Sequence, residues 1–224
     1  GEIKATTRAE AGEKMRVKTY ARKMNVGRNL MMNDDLGLLG DMTMASAEAA
    51  AQTETDVMVR LLRDNPNLSD GTPVFDASRG NVGTAGAVSE TTIDEANQAM
   101  WARRGLDGQT FIAARPAFLL VGPDNELAAR KLLTAVTPNS IEGANPLAGT
   151  LELLVEPRLS DGSWYVFAAP GQLVTMQHAY LASAQGPQVQ RVENFDTLGM
   201  SYRVFLDFGA GWVDWRGAQK NAGA

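Results

Sequence analysis

Asp207-Phe208-Gly209, inside the run DFGAGWVDWRG near the C-terminus, is the tripeptide with which protein kinases hold magnesium. That chemistry needs a glycine-rich loop over the phosphates, a strand lysine and a His-Arg-Asp catalytic loop upstream. None of the three occurs in this sequence. Asp207 instead follows the alternation Tyr202, Val204, Leu206, so the tripeptide reads as a strand end. Gly209-Ala210-Gly211 then allows a bulge or a close backbone approach.

GNVGTAG, Gly80 to Gly86, has the glycine density of a phosphate cradle. No Lys-Ser/Thr follows it and no strand clearly precedes it, so a turned loop is the better reading. His178 is the only histidine, and a Ser-His-Asp triad would have to use it. No Gly-x-Ser-x-Gly elbow supplies the serine, and TMQHAYL reads as a strand carrying a structural or surface histidine. A hydrolase dependent on His178 is therefore a minor alternative. Asp34-Asp35 and Asp94-Glu95 sit at predicted helix starts, where acids complement the helix dipole. With zero cysteines, thiolate nucleophiles, iron–sulfur clusters and the usual structural zinc are excluded, and a reducing compartment fits. No catalytic, cofactor-binding or metal-ligating constellation remains.

The chain has 224 residues, 44% of them apolar and 21% charged, enough to bury a core as one large or two modest domains. No apolar run approaches the roughly 18 residues of a membrane span and no signal pattern opens the chain, so it reads as soluble and intracellular. The net charge of −5 is uneven: residues 1–28 carry +5 and the rest −10. Lys4, Arg8, Lys14, Arg16, Lys18, Arg22, Lys23 and Arg28 form the basic set. A nucleic-acid-binding arm is one reading. Tyr20 is its single aromatic residue and the acidic remainder repels phosphate, so contact with an acidic neighbour is favoured.

The local patterns then divide the chain. Met15, Val17, Thr19 and Ala21 alternate with Arg16, Lys18, Tyr20 and Arg22, a strand whose phase slips near Lys23, as a bulge or a crossing between two packing environments would make it, before Met24 and Val26. The upstream GEIKATTRAEAG has little apolar content to bury and reads as an exposed extended arm. Asp41–Asn65 is an alanine-rich helix about 37 Å long, stopped by Pro66. Thr92 and Glu95 resemble a capping box for a second helix over Ile93–Arg104. Phe118–Val121 is a strand, Pro123 opens a third helix, and LELLVEPRL, SWYVFAAP, QRVENF and MSYRVFLDF read as late strands. The class is α+β.

Five segments in order, VKTYARKMNVGRNLMMNDDLG, SRGNVGTAGAVSETTIDEANQAM, PAFLLVGPDNELAARKLL, LVEPRLSDGSWYVFAAP and DFGAGWVDWRGAQKN, resemble the Mu-like major head subunits of tailed phages and prophages across residues 15–221. That resemblance implies the tailed-phage and herpesvirus major capsid fold: a peripheral domain with a long spine helix and a β-sheet, an axial α/β domain and an extended β-arm. It divides the chain into an arm (1–35), spine helix (36–70), axial domain (71–184) and peripheral strands with a C-terminal tail (185–224). The implied function is structural: copies of the chain form pentameric and hexameric capsomers of an icosahedral shell around DNA, assembled in the bacterial host cytoplasm and residing in the virion. Implied partners are other copies, scaffolding or protease and portal proteins, and DNA non-specifically; no membrane, metal or cofactor is implied. Arg8, Lys14, Arg16, Lys18, Arg22, Arg28, Trp212 and Trp215 are the candidate subunit contacts. Related sequences often have His-Gly-Asn where this chain has Arg79-Gly80-Asn81, so no role of that histidine carries over. Lys220-Asn221 are neighbours in the tail and do not supply the matched pair of a Lys–Asn crosslink. The resemblance places Gly1 within the arm, so weak or absent shell assembly by this stretch alone is expected.

Overall fold

The computed structural model describes residues 12–32, 38–134, 147–195 and 198–224. They fall into two compact units, one of residues 14–64 with 177–211, the other of 65–176 with 212–224 and the segment preceding Lys14. Among the described residues, no helix is long and apolar enough to cross a membrane.

The first unit is organised by one long strand. β1 (Lys18–Val26) leads to the short α1 (Arg28–Met32) and the 27-residue α2 (Leu38–Asp64); β5 (Met176–Tyr180), β6 (Gln188–Asn194) and β7 (Gly199–Trp212) follow much later. β1 runs antiparallel to β7 from Lys18↔Phe208 to Val26↔Met200, while β6 and β5 share the opposite edge of β7. Ala50 of α2 is buried with Leu206 and Phe208, and Val57, Met58, Tyr20 and Tyr180 pack against them.

The β1 register is continuous, so of the two expected causes of the phase slip near Lys23 the bulge is absent. Tyr20, Arg22, Met24 and Val26 share one face, and Thr19 and Ala21, which the sequence pattern aligned with Met15 and Val17, are exposed. The reason is physical: a long cationic side chain reaches solvent from the same face as Tyr20, Met24 and Val26, and Arg22 is exposed there, so charge did not mark the outer side. β7 needs glycine where β1 and its lead-in approach. A Cβ on Gly209 would lie 2.4 Å from the Arg16 carbonyl oxygen. The expected close approach is therefore found at this glycine.

α2 stops at Asp64 because Asn65 takes a left-handed conformation (φ 44°) and Pro66 cannot continue the helix. The Asn65 side chain spends both its groups on Phe75, donating to its carbonyl at 2.9 Å and accepting from its N–H at 2.8 Å.

The second unit is a four-stranded sheet with two helices. Its strands are β2 (Pro116–Val121), β3 (Glu152–Val155), β4 (Trp164–Ala168) and β8 (Ala218–Asn221), in the order β3-β2-β4-β8. β2 and β3 are parallel, with α4 (Pro123–Leu133) in the connection, and the other pairings are antiparallel. β4 is central and almost wholly buried, as its run WYVFA requires. α3 (Glu90–Trp101) buries Ile93, Ala96 and Met100 at helical spacing against Leu119, Val121, Trp164 and Val166. Burial of each large side chain contributes about 2 kcal/mol.

α3 begins three residues before the expected start. Ser89 is its cap and Thr92 returns the bond, so Thr92 closes the box that the sequence reading had it open. The tail divides differently as well: residues 185–211 stay with the β7 sheet, but 212–224 join the second unit because β8 is hydrogen-bonded to β4.

Candidate functional site

The structure does not bring the catalytic candidates together among the described residues. Asp207 is buried in β7 and accepts a 2.5 Å hydrogen bond from the Thr19 hydroxyl. His178 is exposed and stacks on Phe208, its ring 5.8 Å away, with Tyr180 edge-on. Asp94 and Glu95 lie exposed on α3, while Asp34 and Asp35 fall outside the described residues. Among the described residues no group of three or more His, Cys, Asp or Glu is placed to hold a metal ion.

The Gly80–Gly86 loop is laced onto β8. Gly83 N–H donates to the Lys220 carbonyl at 2.8 Å, Gly86 N–H donates to Asn221 Oδ1 at 3.0 Å, and Asn221 Nδ2 donates to the Thr84 carbonyl at 2.7 Å. Two of the amides a phosphate would need are thus already used. Asn81, fully buried, donates to the Val74 carbonyl and accepts from Asp76 N–H, fixing the turn before the loop.

The assembly candidates separate into exposed cations and interior tryptophans. Lys14, Arg16, Lys18, Arg22 and Arg28 are exposed, and Arg8 lies outside the described residues. Trp212 is only 4% exposed: Phe75 meets it edge-on at 5.3 Å and Phe167 stacks at 6.4 Å. It is a core residue of its own chain and is withdrawn as a contact for a neighbour. Trp215 is half-buried between two guanidinium groups, Arg79 at 5.1 Å and Arg103 at 5.3 Å from its ring centre. Arg79 also pairs with Asp70 at 2.7 Å and donates to the Pro73 carbonyl. The Thr72 N–H and then Arg79 hold the Asp70 carboxyl below its usual range. Arg103 is buried, donates to the Arg79 carbonyl and to Gln219 Oε1, and burial lowers its pKa to about 10.

Sequence reasoning missed the Arg79–Trp215–Arg103 stack because its members are far apart in the chain and no local pattern joins them. It also passed over the β6–β7 hairpin, where Phe195 is 99% and Leu198 71% exposed. The signal was present as apolar residues inside a turn segment, where solvent normally selects polar ones.

A 27-residue helix packed on a sheet centred on a 14-residue strand, with a second α/β unit in the same chain, is the arrangement of the tailed-phage capsid fold. Solved structures with this fold include that titled Mycobacterium phage Patience (TM-score 0.63, 12% identity, covering 100% of this chain and 78% of that one). The capsid of Myoviridae phage XM1 matches with a TM-score of 0.60 at 11% identity, covering 93% and 74%. The SrpI encapsulin complex of Synechococcus elongatus matches with a TM-score of 0.56 at 14% identity, covering 92% and 73%. At these identities the likeness is one of fold. No significant match is found among curated proteins.

The family model described as phage capsid protein matches residues 11–221, and the chain belongs to that family. It is a phage capsid protein: copies of it build the shell of the virion, a structural role and not an enzymatic one.

Proposed function

We propose that the chain is a head subunit of the Mu-like type, working as pentamers and hexamers that close around packaged DNA. The order of the five segments across residues 15–221 supports the Mu-like assignment. In this reading the α2–β7 unit is the peripheral domain and the β3-β2-β4-β8 unit the axial domain. The pairing of β8 with β4 supports giving residues 212–224 to the axial side. Scaffolding or protease and portal proteins are further partners, and DNA is met only non-specifically.

The basic segment supplies register between subunits. One observation carries this: Lys14, Arg16 and Lys18 stand exposed along an extended stretch of a chain that is −10 outside residues 1–28. Laid over an acidic neighbouring copy, such a stretch steers association and fixes position, while apolar burial supplies most of the affinity. In the full-length protein, Arg16→Glu with Lys18→Glu is expected to lower shell yield and flatten its dependence on salt, read by light scattering and electron microscopy. Unchanged yield with unchanged salt sensitivity would overturn the contact.

A further inference from the structure

α3 begins at Glu90, so Asp94 and Glu95 stand in its second turn, beyond the first turn in which acids answer the helix dipole. Both are exposed. Asp94, Gln98 and Trp101 follow at i, i+4 and i+7 along one outward stripe, and Gln98 donates to Asp94 at 2.6 Å. The stripe thus runs from carboxylates to a large apolar ring, and the loop after it adds a cation and more apolar surface. Arg104 is exposed there, and Trp101, Leu106 and Phe111 are each half or more exposed.

That loop is fixed by its own bonds. Ile112 N–H donates to the Arg103 carbonyl at 3.1 Å and Gly105 N–H to the Thr110 carbonyl at 2.7 Å. The Arg104 guanidinium lies 4.3 Å from the centre of the Phe111 ring, and the buried Arg103 roots the loop on the Arg79 carbonyl and Gln219. Large apolar side chains with an arginine among them, displayed on a preorganised loop, have the composition of a binding hot spot and lose little freedom on docking.

We propose that this C-terminal end of α3, with Trp101, Arg104, Leu106 and Phe111, docks on the acidic half of α3 in a second copy of the chain, Arg104 meeting Asp94 and Glu95. The inference rests on the reading of the chain as a ring-forming subunit and names one contact of the ring. A second copy is the occupant because the complementary charge is carried by the same helix, in a family whose members build shells. A contact between opposite ends of one element runs head to tail, and such contacts close rings. It uses none of Lys14, Arg16 and Lys18.

Sedimentation velocity of the full-length protein over a concentration series reads the association. Arg104→Glu, Trp101→Ser and Asp94→Arg with Glu95→Arg are each expected to raise the midpoint concentration at least about tenfold. Joining Arg104→Glu to Asp94→Arg/Glu95→Arg is expected to restore most of the loss, because the pairs form again with their signs exchanged. Lys131→Glu, an exposed position of α4 that shifts net charge as Arg104→Glu does, is expected to change nothing. Circular dichroism monitors folding, and Asp94→Arg/Glu95→Arg, altered only at exposed helix positions, carries the test if Arg104→Glu does not fold. The chain has no cysteine, so Asp94→Cys with Arg104→Cys supplies the only two thiols. Oxidised glutathione is expected to link copies of that variant into ladders longer than two. Dimers alone, or no link, would overturn the head-to-tail contact, and so would wild-type protein that does not associate. Rings of five and six that ignore every variant would overturn this contact and leave the ring reading standing. Association that depends on Arg104 and gives ladders, without rings of five or six, would support the contact and fault only that reading.

Discussion

The Thr19 hydroxyl donates to Asp207 Oδ1 at 2.5 Å, joining residues that face each other in the β1–β7 register. The partners are 188 positions apart in sequence, and the bond pins the beginning of β1 to the strand that organises its sheet. A hydrogen bond to an ionised acceptor contributes about 1.5–3 kcal/mol when partly buried. Thr19→Val is expected to cost that much in chemical denaturation, and Asp207→Asn less, because the amide oxygen still accepts. A double-mutant cycle with no coupling between the two positions would contradict this.

Gly209 sits where no side chain fits. Its missing Cβ would lie 2.4 Å from the carbonyl oxygen of Arg16 and 3.0 Å from the Cα of Val17, both backbone atoms that cannot swing aside. Gly209→Ala must push the lead-in of β1 away from β7 and is expected to lower stability by about 1–3 kcal/mol. Gly12→Ala, which meets nothing within 4 Å, serves as the control and is expected to be neutral. Equal denaturation midpoints for the two variants would refute the close approach.

The two C-terminal tryptophans are expected to behave differently. Trp212→Ala removes a buried ring from a cluster with Phe75 and Phe167, at a cost of about 3–5 kcal/mol to folding. Trp215→Leu keeps apolar volume but withdraws the ring face from Arg79 and Arg103, with an expected loss of about 1–2 kcal/mol. Thermal unfolding of both variants compares them directly; a larger loss for Trp215→Leu would invert the assignment.

Asp107 makes stability depend on acid. Its carboxylate accepts from the Thr110 hydroxyl and from the N–H groups of Thr110 and Gln109, which lower its pKa from 3.8 to about 2. Between those values the unfolded chain binds the proton more readily than the folded one. The contribution is therefore complete above about pH 4 and lost as the pH falls through 2. Asp107→Asn is expected to reduce the loss of stability measured between pH 4 and pH 2. An unaltered acid slope would show that the Asp107–Thr110 turn does not persist in solution.

Much of this architecture could be read without coordinates because its signals are local. The alanine-rich run with Pro66 after it became α2, Pro123 opened α4, and the alternation ending at Asp207 became β7. The readings that failed depended on distant partners. Thr92 looked like a helix cap until Ser89 took that place, and Tyr20 and Arg22 looked like an outer face until α2 was placed over them. β8 had no apolar pattern to announce it: AQKN is recognisable as a strand only beside β4, whose Trp164 to Phe167 supply its hydrogen-bonding partners.

The α+β class, the long helix and the concentration of positive charge before residue 29 followed from the sequence, since periodicity, helix-stop residues and charge order are properties of the chain itself, and the capsid resemblance rested on the order of five segments. Tertiary structure decided which residues face a neighbour and which face the chain's own interior. It turned Trp212 inward and placed Trp215 between two arginines. Those outcomes arise from pairings and packing between residues far apart in the chain, where sequence distance carries no information about contact.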